Sequence, residues 1–164
     1  MKDFKRLLFY VPRHSAAGDA AITLLRIALG LTMFLAHGIP KVANYLMLSA
    51  VFPDPYSISS TLSLMLVIFA EFFCSLLLIV GLMTRVALIP LAFTMFTAFF
   101  VVHRADPFAQ KELALIYLIG FIVLFITGPG RISIDEIVHQ ALKEKNNPKP
   151  QPNNQNPAHG DQDQ

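Results

Sequence analysis

Ionisable side chains are scarce in the apolar stretches of this sequence, and their spacing lets most of them meet. Arg26, His37 and Lys41 share the first stretch, Glu71 sits in the second, His103 closes the third and Glu112 opens the fourth. A charged group within hydrocarbon is costly and generally faces a protein interior or a wet cavity. At about 100° per residue, Arg26, Gly30, Met33, His37 and Lys41 form one stripe along a helix. Counting about 1.5 Å per residue sets Glu71 between the depths of Arg26 and His37, within reach of the guanidinium. The plain reading is a buried Arg26–Glu71 charge pair locking the first two helices. The functional reading is a proton-accepting or charge-compensating group beneath a ligand site.

The same counting brings His37, Lys41, His103 and Glu112 together at the outer edge of the bundle, as a candidate ligand-binding group. Pro40 removes a backbone donor and frees the carbonyl of Ala36 beside them. For either histidine alone, a side chain at the membrane interface is a sufficient account. Together the four suit a quinone, which needs hydrogen-bond donors for its carbonyls and an apolar slot for its ring and tail. Two histidines on facing helices also suit a haem, and histidines with carboxylates suit a metal. The spacing is diagnostic of neither, and these residues form no pair of the carboxylate di-iron type. A catalytic residue is not identified. The single cysteine, Cys74, excludes intrachain disulfide or CxxC chemistry and reads as a small buried hydrophobe.

These residues need helices to hold them. The chain has 164 residues, 54% hydrophobic and 15% charged, and the charge crowds at the two ends. An average soluble domain carries roughly 25% charged residues. Four apolar segments, 20–39, 58–82, 86–103 and 113–127, stand out; the first connection is long and partly apolar, and the second is a short turn. Spanning the hydrocarbon takes about 20 helical residues, so the first two qualify, the third is marginal and the fourth needs its flanks. None alternates with period two, so a barrel is not indicated. The expectation is an all-α integral membrane four-helix bundle. Lys and Arg favour the N-terminal arm, the turn at Arg85 and the C-terminal side, which predicts both termini in the cytoplasm.

Four regions follow: an interfacial N-terminal arm (1–19), the four-helix domain (20–135), an amphipathic cytoplasmic helix (136–145) and a disordered tail (146–164) rich in Asn, Gln and Pro. The loop at 45–52 reads as a short interfacial or re-entrant segment ended by Pro53 and Pro55. A net charge of +2 without a basic, aromatic-interleaved stripe argues against nucleic-acid binding. The remaining motif is "TGPGRISID". Gly128-Pro129-Gly130 forces a turn, Arg131 anchors at the headgroups, and Ser133 with Glu136 makes a capping box for the next helix. It follows no strand and lacks a Lys-Ser or Lys-Thr, so it is not a phosphate loop.

In order, "LLRIALGLTMFLAHGIPK", "FAEFFCSLLLIVGLMTR", "MFTAFFVVH", "ELALIYL" and "GPGRISID" resemble the DoxX family over residues 24–135. "EFFCSLLL" is bulkier than the small residues usual in the family after the glutamate. The resemblance implies a multi-pass protein of the bacterial cytoplasmic (inner) membrane. Matching positions include Arg26, His37, Lys41, Glu71, His103 and Glu112, and a cytoplasmic turn motif of Thr84, Arg85, Gly128, Pro129, Gly130 and Arg131. It further implies kinship with small subunits of terminal quinol oxidase and thiosulfate:quinone oxidoreductase. The expected function is therefore a subunit or accessory of a quinone-linked membrane redox system, with membrane lipids and other redox subunits or a second copy as partners. A non-catalytic scaffold and a small-solute permease are the alternatives.

Overall fold

The computed structural model describes Pro12 and residues 15–146, with the side chains of residues 145 and 146 excepted. Most of the N-terminal arm and the tail beyond Asn146 lie outside the described residues. Four helices are long and apolar enough to cross a membrane, and among the described residues there is no strand. The chain is a multi-pass, four-helix membrane bundle.

The first span, α1, runs Ala16–Ala43. Ser15 caps it by accepting a hydrogen bond from the Gly18 amide at 3.1 Å. A short turn, α2 (Tyr45–Leu48), occupies the segment expected to be interfacial. The second span, α3 (Ser60–Val80), ends at Gly81, whose left-handed conformation (φ 71°) suits a residue without Cβ. Arg85 therefore belongs to the next helix, α4 (Thr84–Val102). The fourth span, α5, begins at Phe108 and reaches Thr127, so the flank of the short apolar segment supplies the missing turn. The last helix, α6, covers Ile134–Asn146.

Three of the four spans contain a wide, π-helical turn: Phe34–Gly38 in α1, Phe69–Cys74 in α3 and Ala98–Val102 in α4. In α1 the Ile39 amide bonds back to Phe34, five residues away. Pro40 follows at once, and its missing N–H leaves the preceding turn free to widen. Such turns are rare and concentrate at functional sites.

Helices α1 and α3 run antiparallel in close contact. A Cβ on Gly38 would lie 2.6 Å from the Glu71 carbonyl oxygen, and one on Gly30 would lie 2.9 Å from Ile79. A Cβ on Gly81 would collide with the Arg26 guanidinium at 2.5 Å. These approaches fix the register: Gly38 is level with Glu71, Gly30 with Ser75 and Ile79, and Arg26 with Gly81. Between the two ends lies a dry layer in which Met33, Leu78, Leu91, Phe121 and Leu124 are fully buried. Helices α4 and α5 pack against each other along their length.

Candidate functional site

The polar residues divide into two groups, one at each end of the dry layer. At the turn end, Gly128-Pro129-Gly130 folds back over the bundle with Gly128 and Gly130 at positive φ. This places two carbonyls on Arg26, which is 2% exposed: its guanidinium donates to Pro129 O at 2.5 Å and to Ile132 O at 2.8 Å. The expected Arg26–Glu71 pair is therefore not formed. Arg26 lies level with Gly81, ten residues along α3 from Glu71, or about 15 Å at helical rise. The miscount arises because α1 extends beyond α3 at this end, so Arg26 sits near the bundle's edge and not at mid-depth.

Other turn-end contacts explain the rest of the motif. The Asp135 carboxylate, 1% exposed, accepts the Met83 amide at 2.7 Å and the Thr84 amide at 2.9 Å, capping α4. The Asp135 amide in turn donates to Gly81 O at 2.9 Å. Arg131 pairs with buried Asp19 at 3.2 Å, tying the turn to the first turn of α1. Ser133 accepts the Glu136 amide at 3.2 Å and caps α6 as expected. The Glu136 side chain instead accepts from Gln140 at 2.7 Å. Thr84, Gly128, Pro129, Gly130 and Arg131 thus belong to one clamp, and the Arg85 guanidinium lies 3.8 Å from where a Cβ on Gly128 would sit. Asp19 and Asp135 complete the clamp, and the sequence reading passed over both.

At the opposite end a cavity of about 560 Å³ lies among α1, α3, α4 and α5. His37, Lys41 and His103 all line it, and Glu71 joins them. Glu112 does not: it is exposed, on a face of α5 turned away from the cavity wall formed by Gln110, Leu113, Ala114 and Tyr117. Lys41 pairs with Glu71 at 2.5 Å, with the carboxylate side chain 4% exposed and the ammonium 21%. The pairing follows from Gly38: the close approach there brings the wide turn of α3 carrying Glu71 alongside the last turns of α1. The Ser75 hydroxyl donates back to the Glu71 carbonyl at 2.5 Å and to the Phe72 carbonyl at 2.9 Å, satisfying acceptors around the widened turn.

His37 meets the edge of Tyr117, with ring centroids 5.7 Å apart and planes at 89°. Its Nε2 is buried and has no hydrogen-bond partner among the described residues. A buried polar atom left unpaired is costly, and in native structures it usually awaits a water or a ligand. His103 is half-exposed, its Nδ1 held 2.7 Å from the Asp106 carboxylate. Asp106, three residues on, was the available sequence signal for that pair. Tyr117 could have been found from its spacing, four residues before Phe121 on the buried face of α5.

The cavity is roofed by the segment between α2 and α3. Phe52, Pro53, Pro55 and Tyr56 line it. The Tyr56 hydroxyl is 2.9 Å from that of Thr97, and its ring stacks on Phe93 with centroids 5.9 Å apart. Asp54 pins this strap to the start of α3. Its carboxylate accepts the Ile58 amide at 3.0 Å, the Ser59 amide at 2.7 Å and the Ser63 hydroxyl at 2.9 Å. Slight desolvation would raise the Asp54 pKa, but these hydrogen bonds outweigh it and hold the carboxyl below its usual range. Among the described residues, no group of three or more His, Cys, Asp or Glu is placed to hold a metal ion.

Comparison with known proteins supplies one match. No curated protein and no solved structure matches the chain significantly. The DoxX family model matches residues 21–104, from the start of the first span to just past His103, and so takes in the Arg26 stripe, the Lys41–Glu71 pair and most of the cavity wall. With half of its length under that model and the four-helix bundle the resemblance implied, the chain belongs to the DoxX family.

Proposed function

We propose that this protein is a bacterial inner-membrane member of a quinone-linked redox system, acting as a subunit or accessory that binds a small redox ligand in the roofed cavity. The observation that carries the reading is the buried Nε2 of His37, a hydrogen-bonding atom without a partner among the described residues, on the wall of a largely apolar cavity. The volume, about 560 Å³, falls within the roughly 300–1,000 Å³ of small-molecule sites. A quinone suits the donor set: the His37 nitrogen and the Lys41 ammonium address a carbonyl, and Tyr117 and Phe93 flank a ring. Glu71 compensates the charge of Lys41, the role first assigned to its pairing with Arg26. Family membership and the Lys and Arg bias of the turns support the membrane assignment.

The test is titration of the detergent-purified protein with decylubiquinone and a menaquinone analogue. Binding is expected in the wild type and lost in His37→Ala, with the melting temperature measured alongside because the substitution also removes the edge contact with Tyr117. Absence of binding, or binding indifferent to His37→Ala, overturns the reading. If cells lacking the protein are fully complemented by a His37→Ala, Glu71→Gln double variant, the non-catalytic scaffold takes its place. The dry layer between the two polar groups speaks against the permease reading.

A further inference from the structure

The cavity differs sharply between its roof and its flank. The roof is held shut by Asp54 on α3 and by the Tyr56–Thr97 contact on α4. The flank is not held. Leu66 and Phe69 of α3 and Phe93 of α4 line the cavity while remaining 53%, 49% and 58% exposed. Phe69 lies nine residues into α3, and Phe93 lies nine residues from the end of α4. Each is therefore about 13 Å below its helix end, within a hydrocarbon layer roughly 30 Å thick. Helices α4 and α5 close on each other along their length, whereas the outermost part of α3, residues 60–68, finds its main neighbours in α1 and α2, and α3 packs against α4 only from the wide turn Phe69–Cys74 inward. The gap between α3 and α4, below the lip formed by Tyr56, faces acyl chains.

We infer that the cavity is loaded sideways from the hydrocarbon layer, through a mouth between α3 and α4, and that its ligand is a membrane-dissolved amphiphile with a hydrogen-bonding head and a long apolar tail. The register supports the geometry: Lys41 lies level with the stretch of α3 around Val67, so the polar back wall and the mouth share one depth. The head reaches His37 and Lys41, and the tail stays between Leu66, Phe69 and Phe93. An apolar tail is worth about 0.8 kcal/mol for each methylene removed from water, so a tailless head loses most of the advantage of this route. The nature of the occupant rests on the ligand reading above, while the mouth rests on the helix geometry alone.

The chain contains no tryptophan, so one introduced residue reports without background. Tyr117→Trp places the reporter on the cavity wall, and Phe121→Trp places it in the dry layer beneath. In bilayers with brominated acyl chains, a lateral mouth predicts severalfold stronger quenching at position 117 than at 121. Equal shielding of the two overturns the inference. If Phe121→Trp does not fold, the comparison is made within Tyr117→Trp, where aqueous iodide quenching more strongly than bromolipid counts against the mouth. The route is tested with Asp54→Ala, which loosens the roof and leaves His37 and Lys41 in place, while freeing the Ser63 hydroxyl. Decylubiquinone should quench Tyr117→Trp at an unchanged rate when Asp54→Ala is added, and a severalfold faster rate would assign entry to the roof. If no quinone binds any variant, the ligand reading falls and the bromolipid comparison alone decides the mouth.

Discussion

The Lys41–Glu71 pair shows what single residues contribute. Breaking a buried pair by removing one partner typically costs about 3–5 kcal/mol, whereas replacing both with apolar groups is often neutral. Lys41→Met and Glu71→Leu are each expected to lower the melting temperature in detergent, and the double variant to recover most of the loss. Additive losses would mean that the pair is not coupled. Gly38→Ala should also destabilise, by about 1–3 kcal/mol, because its Cβ would meet the rigid Glu71 carbonyl at 2.6 Å and the helices must part. The stripe from Arg26 to Lys41 was legible in the sequence because helical periodicity alone places it. The partner of Arg26 was not. Its acceptors are backbone carbonyls more than a hundred residues away, and a carbonyl leaves no trace in residue identity. Glu112 was misplaced for a related reason: depth can be counted from sequence, but the azimuth of α5 depends on how it packs against α4.

Among the elements, the four spans were readable from apolar length; their bounds moved outward where polar flanks continued a helix, as at Phe108, and inward at Gly81, which ends α3 at Val80. The π-helical turns were not readable, since one extra residue in a turn has no compositional signature beyond Pro40. The clamp and the strap are elements held by single carboxylates. Asp135→Ala removes the cap of α4 and leaves two amides buried, and a loss of about 1–2 kcal/mol is expected, measured as a fall in melting temperature. The strap should respond to acid. Because the Asp54 pKa is lowered by folding, its stabilising contribution is complete above the ordinary carboxylate value of about 3.9 and is lost as pH falls through the lower folded value. The Ile58 and Ser59 amide resonances should therefore keep their hydrogen-bonded shifts at pH 5 and lose them only below that range. In Asp54→Ala those shifts should be absent at every pH.

At the scale of the whole molecule, the two polar groups are insulated from each other. Met33, Leu78, Leu91 and Phe121 are each 0% exposed and leave no wet path from the cavity to the Arg26 clamp. Proteoliposomes carrying the protein are expected to pass small polar solutes and protons no faster than empty vesicles. Leak above that baseline would contradict a cavity sealed from the clamp end of the bundle. The insulation also separates tasks, with a rigid clamp closing one end of the bundle and a binding cavity hollowed from the other.

The three wide turns give that division a mechanical meaning. Each holds one residue more than a regular turn, so each is a place where the chain can be shortened without breaking its hydrogen-bond ladder. Deleting Ala36 would restore ordinary winding while the helix beyond it keeps its present orientation, so Lys41 should still meet Glu71 and Arg26 stay in its clamp. The wide turns are thus spare length: each can lose a residue without turning the outer half of the bundle against its stem. Deletions at these joints would reshape the cavity wall locally without disturbing the foundation that keeps the bundle assembled.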